Sequence, residues 1–388
     1  MPTHARNQPR RRVLMLGIRM AEVTVYTDNF CHGFAERHNI AVCSYFSRES
    51  GFPDGVACYP GDGTPWGFAR ALAHAIETHR PELVHSHYPH LTVLYSLLRK
   101  WCGRGDQTPL VQTVQNDYGN YSRRNQLFWR FAYPAADRVV HCGAASLESF
   151  PDGLIRRAKT QPEVICNAVD LEFVDRCTAG ESTATRQPGE PLKVGCVGRL
   201  ITCKNVELLL RAAARLPAGK IEVTLLGDGN QHAILTDLVK QLGVDDRVYF
   251  AGRVGLADVY RCVAGLDLVV QPSRAEGLPR SVLEAMGCRR PVLLSDIGPH
   301  REIADGTPIP LFGVDDDARL AKLLGEYADL SPAKIRSLGN ACRAVVERRF
   351  SVAHMHDLYS DVYESALGGQ TIERIADQDA VTIASDAA

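Results

Sequence analysis

Short apolar runs alternate with longer amphipathic segments along most of the chain, and this alternation restricts the possible folds more than any other feature. Apolar runs bounded by turn residues are typical of buried strands, and the segments between them have helical spacing. This order predicts βαβ units with parallel sheets. In the first half, strands are predicted at Val13–Ile18, Ile40–Tyr45, Leu83–His87, Leu110–Gln115, Arg138–Cys142 and Glu163–Cys166, and helices at Trp66–Thr78 and Asn125–Tyr133.

The stretch Cys177–Pro191 interrupts the alternation. It is rich in Thr, Gly, Pro and charged residues and has almost nothing to bury, which is typical of a linker. Two doubly wound, Rossmann-like α/β domains in tandem are therefore predicted. In the second series, strands are predicted at Lys193–Val197, Glu222–Gly227, Val248–Phe250, Leu268–Gln271 and Pro291–Ser295, and helices at Val206–Arg215, Ala233–Leu242, Leu256–Ala264 and Ser281–Cys288.

These patterns also predict the domain boundaries. We expect an N-terminal domain over residues 1–176, a linker over 177–191 and a C-terminal domain over 192–350, followed by a helix over 351–368. Residues 369–388 are small and polar, and we expect them to form a flexible tail. The apolar stretch that follows Arg10, Arg11 and Arg12 is too short for an export signal, so we interpret it as the first strand.

Composition excludes some classes of protein. The 388 residues include 44 Lys and Arg and 45 Asp and Glu, so the formal net charge is −1, which argues against an obligate nucleic-acid binder. The 12 cysteines form no C-x-x-C pair and have no zinc-site spacing, which favours reduced thiols and a cytoplasmic location. No run of about 18 apolar residues is present, so no transmembrane segment is predicted.

The stretch Leu268–Ser295 is the most informative motif. A predicted strand is followed by a loop and then by Pro279, which suits the first turn of a helix. The backbone amides of Leu278 to Val282 would be free to hold an anion at this helix start. Glu276 and Glu284 are eight positions apart, and two carboxylates there would suit sugar hydroxyls. A solvated glutamate on an ordinary amphipathic helix is the alternative for this segment alone.

Other strand ends of the second series carry basic or glycine-rich turns. Arg199 and Lys204 follow a predicted strand, and two cations at such a position suit a diphosphate, although a pair of surface charges is the alternative. Leu225–Asn230 contains a G-x-G turn, which also occurs in plain turns. Phe250–Val254 offers backbone groups that could contact a flat base.

In this order and spacing, the segments resemble the retaining glycosyltransferases of family 4, whose GT-B fold has two Rossmann-like domains facing a central cleft. The resemblance extends over most of the chain. The matching segments are Asn167–Asp170, which reads N-A-V-D where the family has N-G-V-D, Gly198–Lys204, the turn Gly227–Gly229, Phe250–Val254, the E-x7-E pair of Glu276 and Glu284, and Arg349–Leu367, which is similar to the helices that return to the first domain in the family.

The resemblance implies roles for individual residues. Arg199 and Lys204 would bind the donor diphosphate, Glu284 the nucleotide ribose, and Glu276 the transferred sugar; Arg199, Lys204 and Glu276 are therefore the expected catalytic group. Further donor contacts are expected from Gly198, Gly227, Arg253, Val254, Gly277, Leu278, Pro279, Ser281 and Val282. The implied donor is a nucleotide sugar, most commonly a UDP-sugar, and no cofactor or metal is expected.

The first domain departs from the family pattern in two places. Many relatives have a Gly-Gly loop where this chain has Ala21 and Glu22, and many have a His near the reacting carbon where this chain has Gln115. Glutamine is neither an acid nor a base, so we expect it to hydrogen-bond the sugar. The acids Glu22, Asp28 and Asp117 would suit a cationic amino-sugar or aminocyclitol acceptor, as in antibiotic glycosylation. A cell-surface lipid or polysaccharide is the alternative acceptor.

Two segments of the first domain allow more than one interpretation. His85, His87 and His90 could suggest a metal site, but no carboxylate is adjacent, and we expect His87 to lie near the cleft on the acceptor side instead. The stretch Tyr121–Tyr133 has Arg beside Phe and Trp, which could form a membrane-surface helix. Packing of its aromatic side chains on the sheet is the favoured interpretation.

Together these features predict a metal-independent, retaining hexosyltransferase that acts on a nucleotide-sugar donor and a small or glycan acceptor. Two other classes of protein are alternatives to this interpretation. A non-catalytic GT-B binding subunit would not need the charged residues Arg199, Lys204, Glu276 and Glu284. A Rossmann dehydrogenase would need a G-x-G-x-x-G that follows a strand and opens a helix, which this sequence lacks.

Overall fold

The computed structural model describes residues 10–17, 33–46, 56–99, 108–180, 186–187 and 189–368. The first half of the chain forms a seven-stranded parallel sheet with the order β3-β2-β1-β4-β5-β6-β7. Its strands are β1 (Arg12–Gly17), β2 (Asn39–Ser44), β3 (Ala57–Pro60), β4 (Leu83–Ser86), β5 (Leu110–Val114), β6 (Arg138–His141) and β7 (Glu163–Val164).

The second half forms a six-stranded parallel sheet with the order β10-β9-β8-β11-β12-β13. Its strands are β8 (Leu192–Val197), β9 (Ile221–Leu226), β10 (Val248–Gly252), β11 (Leu268–Gln271), β12 (Val292–Ser295) and β13 (Leu311–Phe312). Strand order reverses between β8 and β11, so the loops after these two strands diverge and leave a crevice, where ligands bind in open α/β sheets.

Fifteen α-helices connect the described strands and cover the sheets. They are α1 (Gly33–Arg37), α2 (Pro65–His79), α3 (Pro89–Leu98), α4 (Arg123–Ala135), α5 (Ala144–Glu148), α6 (Asp152–Ile155), α7 (Leu171–Thr178), α8 (Val206–Ala214), α9 (His232–Leu242), α10 (Leu256–Ala264), α11 (Arg280–Gly287), α12 (Gly298–Ala304), α13 (Asp317–Ala328), α14 (Pro332–Arg349) and α15 (Val352–Ala366). The central strands β4, β5, β11 and β12 are buried on both faces, as expected for parallel sheets covered by helices.

The two-sheet α/β architecture predicted from the sequence is confirmed. All eleven predicted strands form, with ends that differ from the prediction by at most two residues. The strands β3 and β13 were not predicted; they are sheet-edge strands of four and two residues. Both strands are too short to form a recognisable apolar run in the sequence.

The last helix returns to the first sheet. Met355 and Tyr359 of α15 pack in one cluster with Val13 and Met15 of β1. The ring of His85 joins this packing, since its Nδ1 lies 2.7 Å from Tyr363 Oη and its Nε2 lies 2.8 Å from Thr113 Oγ1. The helix α15 therefore ties the second half of the chain to the first strands.

The helix α4 agrees only in part with the predicted packing of its aromatic side chains. Trp129 and Tyr133 are fully buried, but Leu127 and Phe131 are 54% and 56% exposed. The side chains that α3 and α4 expose also include Leu97 of α3 and Arg123, Arg124 and Arg130 of α4. Neither helix contains Asp or Glu, so this α3–α4 surface is apolar and cationic. Across the described ranges, no helix is both long and apolar enough to cross a membrane.

Candidate functional site

The crevice between β8 and β11 brings together Lys204 and Glu276. Lys204 ends a short 3₁₀ turn after β8, and Glu276 lies in the loop after β11. Lys204 Nζ is 2.6 Å from Glu276 Oε1, and the two side chains are only 15% and 11% exposed. A buried ion pair at a strand-order reversal, rather than two solvated charges, is therefore the central feature of this site.

Three donors converge on one oxygen of Glu276. Besides Lys204 Nζ, Ser273 Oγ donates to Oε1 at 2.6 Å and Gln271 Nε2 donates to it at 3.0 Å. Burial alone would raise the pKa of Glu276, but Lys204 and these hydrogen bonds outweigh it, so the pKa lies below its usual value. In the described part of the chain, no hydrogen bond reaches Oε2, which leaves this oxygen as an acceptor for a ligand hydroxyl.

Gln271 and Ser273 also belong to this site, although they were not predicted from the sequence. Both are almost fully buried, and they position Glu276 from the end of β11. A buried polar pair at a strand end is the signal that could have identified them, because buried polar groups need partners.

Glu284 lies on α11, where it is almost fully buried. Arg280 Nη2 is 3.1 Å from Glu284 Oε1. Burial raises the pKa of Glu284, while Arg280 and a hydrogen bond from Tyr260 oppose that rise. The two glutamates of the E-x7-E pair thus differ, since Glu276 has a lowered pKa and Glu284 a raised one.

The turns after β8 and β9 contact each other through glycines. Gly227 has φ +134°, and a Cβ added there would lie 2.0 Å from the carbonyl oxygen of Gly198. Gly198 itself has φ +145°. Both positions therefore require glycine, and Gly198 lies against the side chain of Lys204.

The remaining predicted donor contacts differ in accessibility. Arg199 and Arg253 are exposed and Val254 is half-buried. Within the described ranges, the Arg199 guanidinium has no hydrogen-bond or ion-pair partner, so it is available to an anion. Leu278 and Pro279 are buried, and Ser281 lies in the first turn of α11.

One backbone expectation at this helix start was wrong. The amide of Val282 donates to Pro279 O at 3.2 Å, so it is not free to hold an anion. Pro279 caps the helix in an extended conformation, and this geometry closes a tight first turn.

The first domain reaches across the cleft to the loop that carries Glu276. Asn120 Nδ2 donates to Glu276 O at 3.2 Å, and Asn167 Nδ2 donates to Leu278 O at 2.9 Å. Between them, a Cβ added to Gly277 would lie 2.3 Å from Gln115 O. Three consecutive residues of the loop are thus positioned by the opposite domain. The close approach of Gly277 to Gln115 O is possible because glycine has no side chain.

The acceptor-side residues lie at the carboxyl ends of β4 and β5. Gln115 Nε2 donates to His87 Nδ1 at 3.0 Å, and burial lowers the pKa of His87 well below its usual value. The two side chains are therefore a neutral, hydrogen-bonded pair next to the cleft. The predicted residues Ala21, Glu22 and Asp28 lie outside the described residues. Across the described ranges, no cluster of three or more His, Cys, Asp and Glu side chains could hold a metal ion.

Two other carboxylates act on the charge of Asp117. Burial, followed by the charges of Glu302 and Glu276, raises its pKa to about 7. Glu302 of α12 accepts hydrogen bonds from Ala144 N at 2.8 Å and Ala145 N at 3.1 Å, so it links the second domain to the start of α5. Glu302 was not predicted, because no local sequence pattern indicates that it faces the first domain.

We expect Asp117→Asn to stabilise the protein at alkaline pH. The folded state raises the pKa of Asp117, so the parent loses stability as the pH rises from the unfolded value near 4 through about 7. The variant lacks this loss. Its melting temperature should exceed that of the parent at pH 8.5, with the advantage shrinking towards pH 5. Asp246→Asn, at the surface, controls for the loss of one carboxylate. An advantage that is equal at both pH values would contradict the assignment.

Comparison with known protein families gives two matches that follow each other along the chain. The family described as "Glycosyltransferase Family 4" matches residues 23–173, and the family described as "Glycosyl transferases group 1" matches residues 191–329. The second match contains Lys204, Glu276 and Glu284, and the first contains Gln115 and Asp117.

Two curated relatives show the range of similar proteins. The chain is 32% identical over 215 residues to the lipopolysaccharide core biosynthesis mannosyltransferase LpcC of Rhizobium leguminosarum bv. viciae, which covers 53% of this chain and 60% of the relative. It is 30% identical over 213 residues to the 2-deoxystreptamine glucosyltransferase of Streptomyces kanamyceticus, which covers 53% of this chain and 55% of the relative. The chain thus matches just over half the length of each.

The fold is similar to that of Anabaena Alr3699/HepE, solved in complex with UDP-glucose. The TM-score is 0.72 at 19% identity, and the match covers 91% of this chain and 99% of the solved chain. At this identity the likeness concerns the arrangement of the two sheets and their helices.

Proposed function

Because the chain belongs to the family 4 glycosyltransferases, which have the GT-B fold, we propose that it transfers a sugar from a nucleotide diphosphate to an acceptor hydroxyl with retention of anomeric configuration. The observation that carries the proposal is the buried Lys204–Glu276 pair at the reversal between β8 and β11, with Glu284 on the helix that follows. This set combines a cation for phosphate with carboxylates for hydroxyls.

In this proposal, the departing diphosphate is held by Lys204 and Arg199. Negative charge develops on the phosphate as the bond to the sugar breaks, and a cation held in place beside it, as Lys204 is, stabilises that charge. Arg199 is exposed and adds a second cation at the edge of the site. Glu276 accepts hydrogen bonds from hydroxyls of the transferred sugar through Oε2, since its Oε1 already accepts hydrogen bonds from three donors. As the resemblance implies, the leaving phosphate takes the acceptor proton.

The donor that we favour is a UDP-sugar, the commonest donor of the family. Glu284 would accept hydrogen bonds from the ribose hydroxyls, and Arg253 and Val254 would face the base. Arg253 directly follows β10 and its side chain is exposed, so it is accessible to the base.

For the acceptor, we favour a small polar molecule, with an aminocyclitol as the first candidate. Asp117, Glu276 and Glu302 place carboxylates along the cleft, and a cationic amine would be attracted to them. One relative is a 2-deoxystreptamine glucosyltransferase, which acts on an aminocyclitol by its name.

A lipid or polysaccharide acceptor is the second candidate. The apolar, cationic α3–α4 surface, with Leu127 and Phe131 half exposed, favours it, because such surfaces associate with anionic lipid. Another relative is a lipopolysaccharide core mannosyltransferase. A non-catalytic GT-B binding subunit is the remaining alternative.

A transfer assay tests the proposal and separates these candidates. The full chain is incubated with a panel of UDP-sugars and with three acceptor sets: aminocyclitols, neutral cyclitols, and lipid-linked sugars in anionic vesicles. Mass spectrometry then detects the glycosylated product. We expect product with an aminocyclitol. Product from the lipid set alone would overturn the favoured acceptor, and binding of nucleotide sugars without any turnover would favour a binding subunit.

We expect transfer to be unchanged in excess EDTA. The charge of the diphosphate would be offset by Lys204, Arg199 and the start of α11, so no divalent cation is needed for this purpose. The rate is measured with EDTA and with added manganese or magnesium. Strict dependence on either metal would contradict the proposed role of the two cations.

A further inference from the structure

Arg280 occupies an unusual position at the start of α11. Its side chain is 15% exposed, and its Nη2 lies 3.1 Å from Glu284 Oε1, whose side chain is 9% exposed. Among the described residues, its Nε and Nη1 are buried without a hydrogen-bond partner. A buried donor without a partner costs about 1–3 kcal/mol, so helix stability alone does not account for this arginine. The ion pair with Glu284 is the polar contact that the Arg280 side chain makes in this position.

The other charged and titratable groups around Glu284 have different roles. Tyr260 of α10 hydrogen-bonds to Glu284. Arg343 of α14 is bound to Asp175 of α7, to Glu347 and to Gly287 O. Cys288 on α11 and Cys177 on α7 are thiols whose pKa values are raised by burial. The strands β11 and β12 contribute no titratable side chain.

We propose that Arg280 is a positioning residue for the nucleotide, whose ion pair with Glu284 holds that carboxylate in the charge state and orientation that ribose hydroxyls require. The inference rests on the proposed function, in which Glu284 binds the ribose. An ionised carboxylate accepts two hydroxyl hydrogen bonds, whereas a protonated one must use an oxygen as a donor. In the structure, Arg280 holds Oε1, so the orientation of the carboxylate depends on this contact together with the hydrogen bond from Tyr260.

The consequence concerns the pH range of nucleotide binding. Burial raises the pKa of Glu284, and Arg280 opposes this rise. Without the guanidinium, the pKa rises further, so Glu284 takes up a proton as the pH falls towards the acid range. Nucleotide affinity should then fall with decreasing pH in the variant, beyond any change in the parent.

The test compares UDP affinity in the parent, Arg280→Leu and Arg280→Lys by calorimetry at pH 5.5, 7.0 and 8.5. We use the ratio of variant to parent affinity, because protonation of UDP itself then cancels. For Arg280→Leu, we expect a severalfold loss of affinity at pH 5.5, because a larger fraction of Glu284 is protonated there, and a smaller loss at pH 8.5. Arg280→Lys should restore most of the parent's profile, because it retains the charge.

The matched control is Arg211→Leu, which removes an exposed pair with Glu207 at the same i,i+4 spacing on α8. It should bind UDP like the parent at each pH. A ratio for Arg280→Leu that does not change with pH, in a variant with the parent's melting temperature, would overturn the inference. If Arg280→Leu fails to fold, the test depends on Arg280→Lys. A pH dependence of UDP affinity in Arg280→Lys that differs from the parent's would also overturn the inference. A parent that binds no UDP would instead refute the proposed function itself.

Discussion

Replacing Lys204 with alanine is expected to lower kcat/KM by about 10²-fold or more, which corresponds to about 2.7 kcal/mol. A cation beside the departing diphosphate stabilises the transition state more than the ground state, because the negative charge grows during bond breaking. The change also removes one of the three donors to Glu276 Oε1. We therefore expect kcat to fall together with donor affinity, as measured by steady-state kinetics.

Two other variants define what the lysine contributes. Lys204→Arg should restore only part of the activity, because a planar guanidinium does not replace a compact ammonium. Lys220→Ala, which breaks a surface pair with Asp329 in the same domain, should leave the kinetics unchanged. A Lys204→Ala protein with normal kcat and only a raised KM would show that Lys204 merely collects the donor.

Adding a single methyl group at Gly277 is expected to reduce kcat by about 10²-fold, the typical effect of misplacing reacting groups by about 1 Å. The new Cβ would lie 2.3 Å from Gln115 O in the opposite domain, so the two domains would have to move apart. Gly277 does not have a positive φ, so alanine suits its local backbone. UDP affinity should change much less than kcat, because the main predicted nucleotide contacts belong to the second domain.

The control for this variant is Gly325→Ala on α13, where the added Cβ would have its nearest neighbour at an ordinary distance of 3.7 Å. It should keep the parent's kcat. If Gly277→Ala turned over at the parent's rate, the contact between the loop and Gln115 would be irrelevant to the reaction. Calorimetry with UDP and single-turnover kinetics together separate binding from chemistry.

The second sheet was predictable because its signals are local. Five of its six strands are short apolar runs that end at turn residues, whereas the two-residue edge strand β13 was not predicted. The loops after neighbouring parallel strands meet at the same edge. The motifs at Gly198–Lys204 and Glu276–Glu284 therefore predicted a shared site, and the structure brings Lys204 and Glu276 to within 2.6 Å. Each residue's role in the reaction is still a prediction.

The contacts between the domains were not predictable in this way. The approach of Gly277 to Gln115, and the charge of Glu302 near Asp117, depend on how two separately folded sheets pack, which no local pattern encodes. The pairing of Arg280 with Glu284 is different, since its i,i+4 spacing was visible in the sequence. It was missed because burial, which gives the pair its importance, follows from the packing of α11 against α10 and α14.

Calorimetric titration of the full chain with UDP in the presence of EDTA tests the central claim most directly. The account predicts saturable binding at one site per chain that Lys204→Ala and Glu284→Gln both weaken. Glu284→Gln should lose tens of fold in affinity, because charge-assisted hydrogen bonds contribute roughly 1.5–3 kcal/mol each. NAD should not bind. Binding of NAD without UDP, or UDP binding that neither substitution changes, would contradict a nucleotide-sugar site built on Lys204 and Glu284.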